Sequence, residues 1–218
     1  VDAVVLSHGH YDHTGGLADI LFQAEGDVRV CLHPDALAEK YGCSGNKARE
    51  IGMTERSRNA LSGPHCHLVT SRESIEPIVG VRTTGEIPRI HSEEETSGSF
   101  WLDSDCREKD FFLDDQAVFI PTKKGTIVLL GCAHAGVINT LDHILNLTDG
   151  DKIRAIVGGM HLHSASDERI AWTLDALKKF DMDAIYPAHC TGAQAVSALW
   201  SEFPGRCFTC GVGTKLSF

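Results

Sequence analysis

Between Ser7 and His13 the chain reads Ser7-His8-Gly9-His10-Tyr11-Asp12-His13, which places three imidazoles and one carboxylate within six residues. Imidazole and carboxylate are the ligands that borderline divalent ions such as Zn²⁺, Mn²⁺ and Fe²⁺ take. In an extended segment successive side chains alternate, so His8 and His10 share one side. A turn after them carries Asp12 and His13 round to another. One short segment can thus serve two adjacent metal ions, a density that a chance gathering of surface histidines does not reach.

Three further histidines fall where the first cluster does, just past an apolar run. His134 stands in Gly131-Cys132-Ala133-His134-Ala135-Gly136, His161 in Gly158-Gly159-Met160-His161-Leu162-His163, and His189 in Pro187-Ala188-His189-Cys190-Thr191-Gly192. The C-terminal edge of a sheet is where sites of α/β proteins gather. His33, His65, His67, His91 and His143 lack that placement; His143 is expected on a helix surface, and His65 and His67 in a solvated loop. Cys132 and Cys190 stand beside ligand candidates and are expected to pack rather than to bind metal. Cys207 and Cys210 form a C-x-x-C, and without a second pair this is a weak zinc signal.

The elements that must carry these residues can be read from apolar spacing. Strands are expected over residues 4–6, 28–32, 79–83, 117–121, 126–130, 153–157 and 184–186. Helices are expected over residues 17–24 and 35–40, the latter opened by Pro34, and over 167–180 with Ser166 as the cap. Val137, Ile138, Leu141, Ile144 and Leu145 recur at helical spacing and mark an amphipathic helix on a sheet. Residues 42–64 read as polar and irregular. Lys123-Lys124-Gly125 reads as a turn.

With 218 residues, 42% hydrophobic and 23% charged, the chain has an ordinary globular composition. It is long enough to bury a core without disulfides or metal as staples. A net charge of −10 argues against a nucleic-acid surface. Nine carboxylates against two basic residues crowd residues 93–115, which are expected to form a solvated loop. No apolar run approaches the roughly 20 residues of a membrane span, and no signal peptide is visible. The eight cysteines show no paired spacing, so reduced thiols and a cytoplasmic location are expected. The chain opens at Val1 inside a predicted strand, and a missing upstream segment is expected.

Residues 7–13 match the H-x-H-x-D-H signature of the metallo-β-lactamase superfamily, continued by Thr14-Gly15-Gly16-Leu17. The chain resembles that superfamily, and within it the metal-dependent hydrolases of the β-lactamase superfamily II. That group includes the archaeal 7,8-dihydropterin-6-yl-methyl-4-(β-D-ribofuranosyl)aminobenzene-5′-phosphate synthase. The likeness runs through residues 6–17, 84–89, 114–117, 131–141, 158–162 and 187–192, almost the whole chain.

The resemblance implies an α/β fold, an αββα sandwich, formed as a single domain over residues 1–218 that lacks its N-terminal hairpin. It implies two divalent metal ions, zinc first, with manganese or iron as alternatives. His8, His10 and His134 would hold one, and Asp12, His13 and His189 the other. The superfamily's bridging Asp is absent from residues 158–161, where His161 is the substitute. An imidazole offers one lone pair to one ion, so His161 is expected to ligate from one side; general acid is the competing role.

The implied activity is that of a metallo-hydrolase using metal-activated water, with Asp12 orienting the attacking oxygen. The substrate expected is a small molecule bearing phosphate, anchored by Arg89, Lys123 and Lys124, although the lysine pair also reads as a hairpin tip. The alternative is a synthase-type transferase that holds a pyrophosphate leaving group. A non-catalytic metal-binding fragment is the third reading. Diiron oxygen reductases share the fold but place Glu where this chain has His10. Neither nucleic acid nor membrane is an expected partner, and the oligomeric state is left open.

Overall fold

A computed structural model describes residues 1–44, 47–94, 98 and 100–218. In it the chain separates into two compact units, Val1–Ile87 with Ser97–Gln116 and Pro88–Thr96 with Ala117–Phe218.

The first unit opens with β1 (Ala3–Val5), which passes through the short helix α1 (Tyr11–Thr14) and α2 (Leu17–Gln23) into β2 (Val28–Leu32). Alternation along β2 turns Val28, Val30 and Leu32 to one face, where Leu6, Leu17, Met53 and Leu61 close over them. After β2, Pro34–Leu37 makes only a 3-10 turn rather than the expected helix through residue 40. Ala38 is already extended, and two residues on the Lys40 side chain is 1% exposed. Its ammonium donates to Asp110 at 2.7 Å and Asp114 at 2.9 Å, a demand a continuing helix would not meet.

Residues 42–64, expected to be irregular, form the antiparallel strands β3 (Tyr41–Ser44) and β4 (Lys47–Glu50), followed by α3 (Glu55–Ala60). Gly45 and Asn46 lie outside the described residues. The hydroxyl of Thr54 caps α3 by accepting from Ser57 N, with Glu55 in the first turn. Next come β5 (Cys66–Thr70), which lies parallel to β2, and β6 (Arg82–Thr83). The strand expected over 79–83 shrinks to β6 because Gly80, at φ 82°, turns the chain and pairs Ile78 with Val81. β7 (Phe100–Trp101) lies antiparallel to β3.

That pairing returns the chain past β3, and Cys43 and Cys106, expected as thiols, are joined in a disulfide. The other six cysteines are thiols. The acidic stretch is a solvated loop only in part, with Glu93, Asp105 and Glu108 exposed. Glu94, Asp110, Asp114 and Asp115 are all buried, and the first three each answer a donor or cation inside the protein rather than water. Glu95, of the same stretch, lies outside the described residues.

The second unit alternates strand and helix: β8 (Val118–Ile120), β9 (Thr126–Leu130), α4 (Val137–Leu147), β10 (Ile153–Gly158), α5 (Asp167–Leu177), β11 (Ala184–Pro187) and α6 (Ala193–Glu202). β8 runs antiparallel to β9, whereas β9, β10 and β11 are parallel neighbours. Val128, Ile156 and Ile185 stand in register across these strands and meet Val137, Leu141 and Ile144 of α4. Ile127, Ala155 and Ala184 make a smaller cluster on the other face. The α6 helix was not expected, although Ala195, Leu199 and Phe203 recur every four residues and are buried. Among the described residues no helix is long and apolar enough to cross a membrane.

Candidate metal centre

In the first unit, His8 and His10 leave the end of β1 with Gly9 between them. The backbone there is fixed from Gln116, whose N–H donates to Ser7 O at 2.9 Å and whose side-chain amide donates to Leu6 O at 2.9 Å. Asp114 completes the hold by accepting the Gly9 N–H at 2.7 Å. A side chain at Gly9 would collide with the Ala36 carbonyl, so this close approach needs glycine. Beyond His10 the helical turn of α1 brings His13 back. Ring centroids of His8 and His13 lie 4.2 Å apart, and those of His8 and His10 4.7 Å apart. The nearest ring nitrogens of His8 and His10 are 3.1 Å apart, and Asp12 Oδ2 lies 3.4 Å from His13 Nε2. The four clustered residues of the signature therefore do come together.

Their electrostatics favour donor atoms. Burial, with the Lys40 ammonium next, pushes His10 down to about 4, so near pH 7 its imidazole is neutral and keeps a lone pair. Burial works against the Lys40 charge, yet Asp114 and Asp110 more than compensate and raise it. Lys40 is thus a resident cation that neutralises the two carboxylates behind the histidine segment.

In the second unit, three parallel strands end at one edge, with Leu130, Gly158 and Pro187 in register. His134, His161 and His189 follow those ends, so the parallel sheet gathers them on a single rim. The rings of His134 and His161 are 4.3 Å apart, and those of His161 and His163 5.2 Å apart. Each loop also contains a non-glycine residue in the left-handed region: Ala133 at φ 55°, His161 at 47° and His189 at 50°. Such strain persists only where the surroundings over-determine it, and it collects at functional sites.

The His134 loop is braced by Arg89, expected only as a phosphate anchor, and by Asn139, Glu94 and Arg169, which sequence reasoning missed. Arg89 donates to His134 O at 3.2 Å, and the Asn139 side chain donates to Ala135 O at 2.8 Å. Glu94 accepts from Ile138 N at 3.1 Å and Asn139 N at 2.6 Å, capping α4 just past the loop. Arg169 answers its charge at 3.0 Å. Burial nevertheless raises the Glu94 carboxyl above its ordinary range. Gly136 is required beside it, since a Cβ there would strike that carboxylate and its φ is 102°. The available signal was Glu94 set close to Arg89 in a stretch dismissed as solvated.

Lys123 and Lys124 sit at the exposed tip between β8 and β9. They lie at the opposite end of β9 from the His134 loop, on the order of 15 Å along the strand. The structure does not bring them to that rim, and the hairpin-tip reading holds. Arg89 is exposed beside His134. Of the remaining histidines, His33 is buried against Glu86 at 3.0 Å, whereas exposed His65 and His67 flank Asp27. Cys190 donates to Cys132 O at 3.6 Å; its hydrogen bonding with Cys132, then with His161, holds the thiol well below its ordinary range.

Against known proteins, the metallo-beta-lactamase superfamily profile matches residues 1–105. The 7,8-dihydropterin-6-methyl-4-(beta-D-ribofuranosyl)-aminobenzene-5'-phosphate synthase of Methanocaldococcus jannaschii is 30% identical over 207 residues, 93% of this chain and 70% of the synthase. Uncharacterized protein MJ0448 of the same organism is 33% identical over 198 residues, 91% of this chain and 72% of that protein. Among solved structures, Tm1679, a metal-dependent hydrolase of the beta-lactamase superfamily, is 30% identical with a TM-score of 0.83. The match covers 99% of this chain and 78% of Tm1679.

Proposed function

This chain belongs to the metallo-β-lactamase superfamily and has its fold, and from that premise we propose that it is a metal-dependent hydrolase of a small phosphate-bearing molecule. The observation that carries the proposal is the clustering of His8, His10, Asp12 and His13 around one glycine-pinched turn. The proposed ligands are those the resemblance implies: these four, with His134, His161 and His189. Their chemistry fits a divalent ion: six imidazoles and a carboxylate suit zinc, and also manganese or iron, and burial keeps His10 neutral enough to donate. Two ions are proposed, with zinc first. Bound ions supply Lewis acidity and lower the pKa of water.

The chain's own groups do the rest. Asp12 is exposed and accepts the proton of the attacking water, a role that needs a carboxylate in hydrogen-bond reach. Either the His161 imidazole ligates from one side, or it donates a proton to the leaving oxygen; its single ring lone pair cannot bridge two ions as a carboxylate does. Arg89 meets the phosphate, because guanidinium recognises it through paired N–H groups.

The second reading, a synthase-type transferase on a pterin pyrophosphate, is favoured by the 30% identity to the named synthase along most of this chain. One screen separates them. Metal-loaded protein is offered phosphomonoesters, phosphodiesters, thioesters, lactones and pterin pyrophosphates, the last with and without an amine acceptor. Turnover of a phosphate ester, lost to a chelator and restored by zinc, supports the hydrolase. Turnover only when pyrophosphate and acceptor are both present supports the transferase, and metal-independent turnover contradicts both.

A further inference from the structure

Cys132 and Cys190 are expected from sequence to be packing groups, yet both sulfurs point to the same place as His161. One ligand atom from each of Cys132, His161 and Cys190 lies within 4.8 Å of the other two. We infer that these three residues form a thiolate-rich binding site for a soft or borderline divalent ion within the second unit. The site goes beyond the ligand set proposed above and takes from it only His161, whose single lone pair then serves this ion rather than the histidine centre.

Several features of the fold build this pocket. Cys132 follows β9, His161 follows β10 and Cys190 follows β11, so the parallel register delivers all three to one rim. Left-handed backbone occurs at His161 itself and at the neighbours Ala133 and His189, which aims each loop inward at a conformational cost. The loops are also tied together. Met160 N donates to the Thr191 hydroxyl at 3.1 Å, that hydroxyl donates to Ala188 O at 2.8 Å, and His163 N donates to Cys190 O at 3.1 Å. Gly159 leaves the room: a Cβ there would stand 2.6 Å from the Cys190 sulfur and 2.5 Å from Gly131 O.

The spacing suits a metal. Sulfur at about 2.3 Å and nitrogen at about 2.0–2.1 Å from a tetrahedral ion put donors within about 4 Å of one another. The three atoms need draw in by no more than roughly 1 Å from their present limits. Two sulfurs and one imidazole leave a fourth position open, and thiolate donors select softer ions than an all-imidazole set does. Binding needs both sulfurs as thiolates, so uptake of one ion is accompanied by loss of whatever protons they still carry, at most two.

Cadmium reports directly on such a site, through thiolate-to-metal absorbance in the ultraviolet. Reduced, metal-stripped protein titrated with cadmium is expected to develop that band at about one ion per chain. Cys132→Ser or Cys190→Ser should abolish it, and His161→Ala should weaken cadmium binding by at least about tenfold. The band should persist in folded His10→Ala, which disturbs only the histidine set of the first unit, and in the Cys207→Ser/Cys210→Ser double variant. A wild type without the band, or a band lost with His10 or with Cys207 and Cys210 but kept in Cys190→Ser, overturns the site. Should a serine variant fail to fold, alkylation of wild type decides. Cadmium is expected to shield Cys132 and Cys190 from iodoacetamide, and equal labelling with and without cadmium overturns the proposal.

Discussion

The Asp114 carboxylate accepts the Gly9 N–H at 2.7 Å with one oxygen and the Lys40 ammonium at 2.9 Å with the other. A buried ion pair is thereby welded to the one residue that separates His8 from His10. Asp114→Ala strips the histidine segment of its anchor and leaves Lys40 with Asp110 alone. Removing one partner of such a buried pair costs about 3–5 kcal/mol. Urea unfolding should show a loss of that size, with reduced metal retention; a loss under about 1 kcal/mol would mean the pair is incidental.

His10 predicts a pH dependence for metal-free protein. Its folded value is about 4 against an ordinary 6.5, so as pH falls the unfolded chain takes up a proton first. Stability from this group is fully present above pH 6.5 and declines as pH drops toward 4, by at most about 1.4 kcal/mol per pH unit. Urea midpoints for chelator-treated protein at pH 7 and pH 5 measure it. His10→Asn should flatten the slope, and an unchanged slope would assign it to other groups.

Glu94 predicts a split between two substitutions. Glu94→Ala leaves two helix N–H groups without their acceptor and takes the carboxylate from Arg169, which keeps the Glu93 carbonyl, at a cost on the order of 3 kcal/mol. Glu94→Gln keeps an acceptor oxygen for α4 and should lose less. Thermal melts of both variants give the comparison, and equal losses would remove the capping role.

Two glycines provide a matched pair. Gly159→Ala forces a methyl group against Gly131 O and the Cys190 sulfur, and overpacking of that kind costs on the order of 2 kcal/mol. Gly16 has nothing within 4 Å of its would-be Cβ, so Gly16→Ala should change stability by no more than about 0.5 kcal/mol. Similar melts for the two would show that the Gly159 loop yields easily.

The rim of the second unit is legible in the sequence because each histidine follows a β-rich apolar run, and parallel strands must end together. The His8–His13 cluster is legible for a simpler reason, since its members are neighbours in the chain. What is hidden depends on partners far away in sequence. Asp114 looks like one more solvated acid until Lys40, 74 residues earlier, is found against it. Glu94 looks the same until the first turn of α4 closes on it. Lys123 and Lys124 suggest a phosphate anchor by charge type alone, whereas their place before β9, with His134 after it, already sets them at the opposite end of the strand. The 3-10 turn after Pro34 is hidden too, since local spacing permits a helix that the burial of Lys40 forbids.

Metal content of purified protein tests the central proposal most directly. Wild type, His8→Ala, His134→Ala and the surface variant Lys124→Ala are reconstituted with zinc, desalted and assayed by elemental mass spectrometry. Wild type and Lys124→Ala are expected to retain zinc equally, whereas His8→Ala and His134→Ala should each fall short of wild type by at least one ion, since the remaining ligands no longer complete that coordination sphere. Full zinc content in both folded histidine variants, or none in the reconstituted wild type, would contradict a metal centre built on these residues.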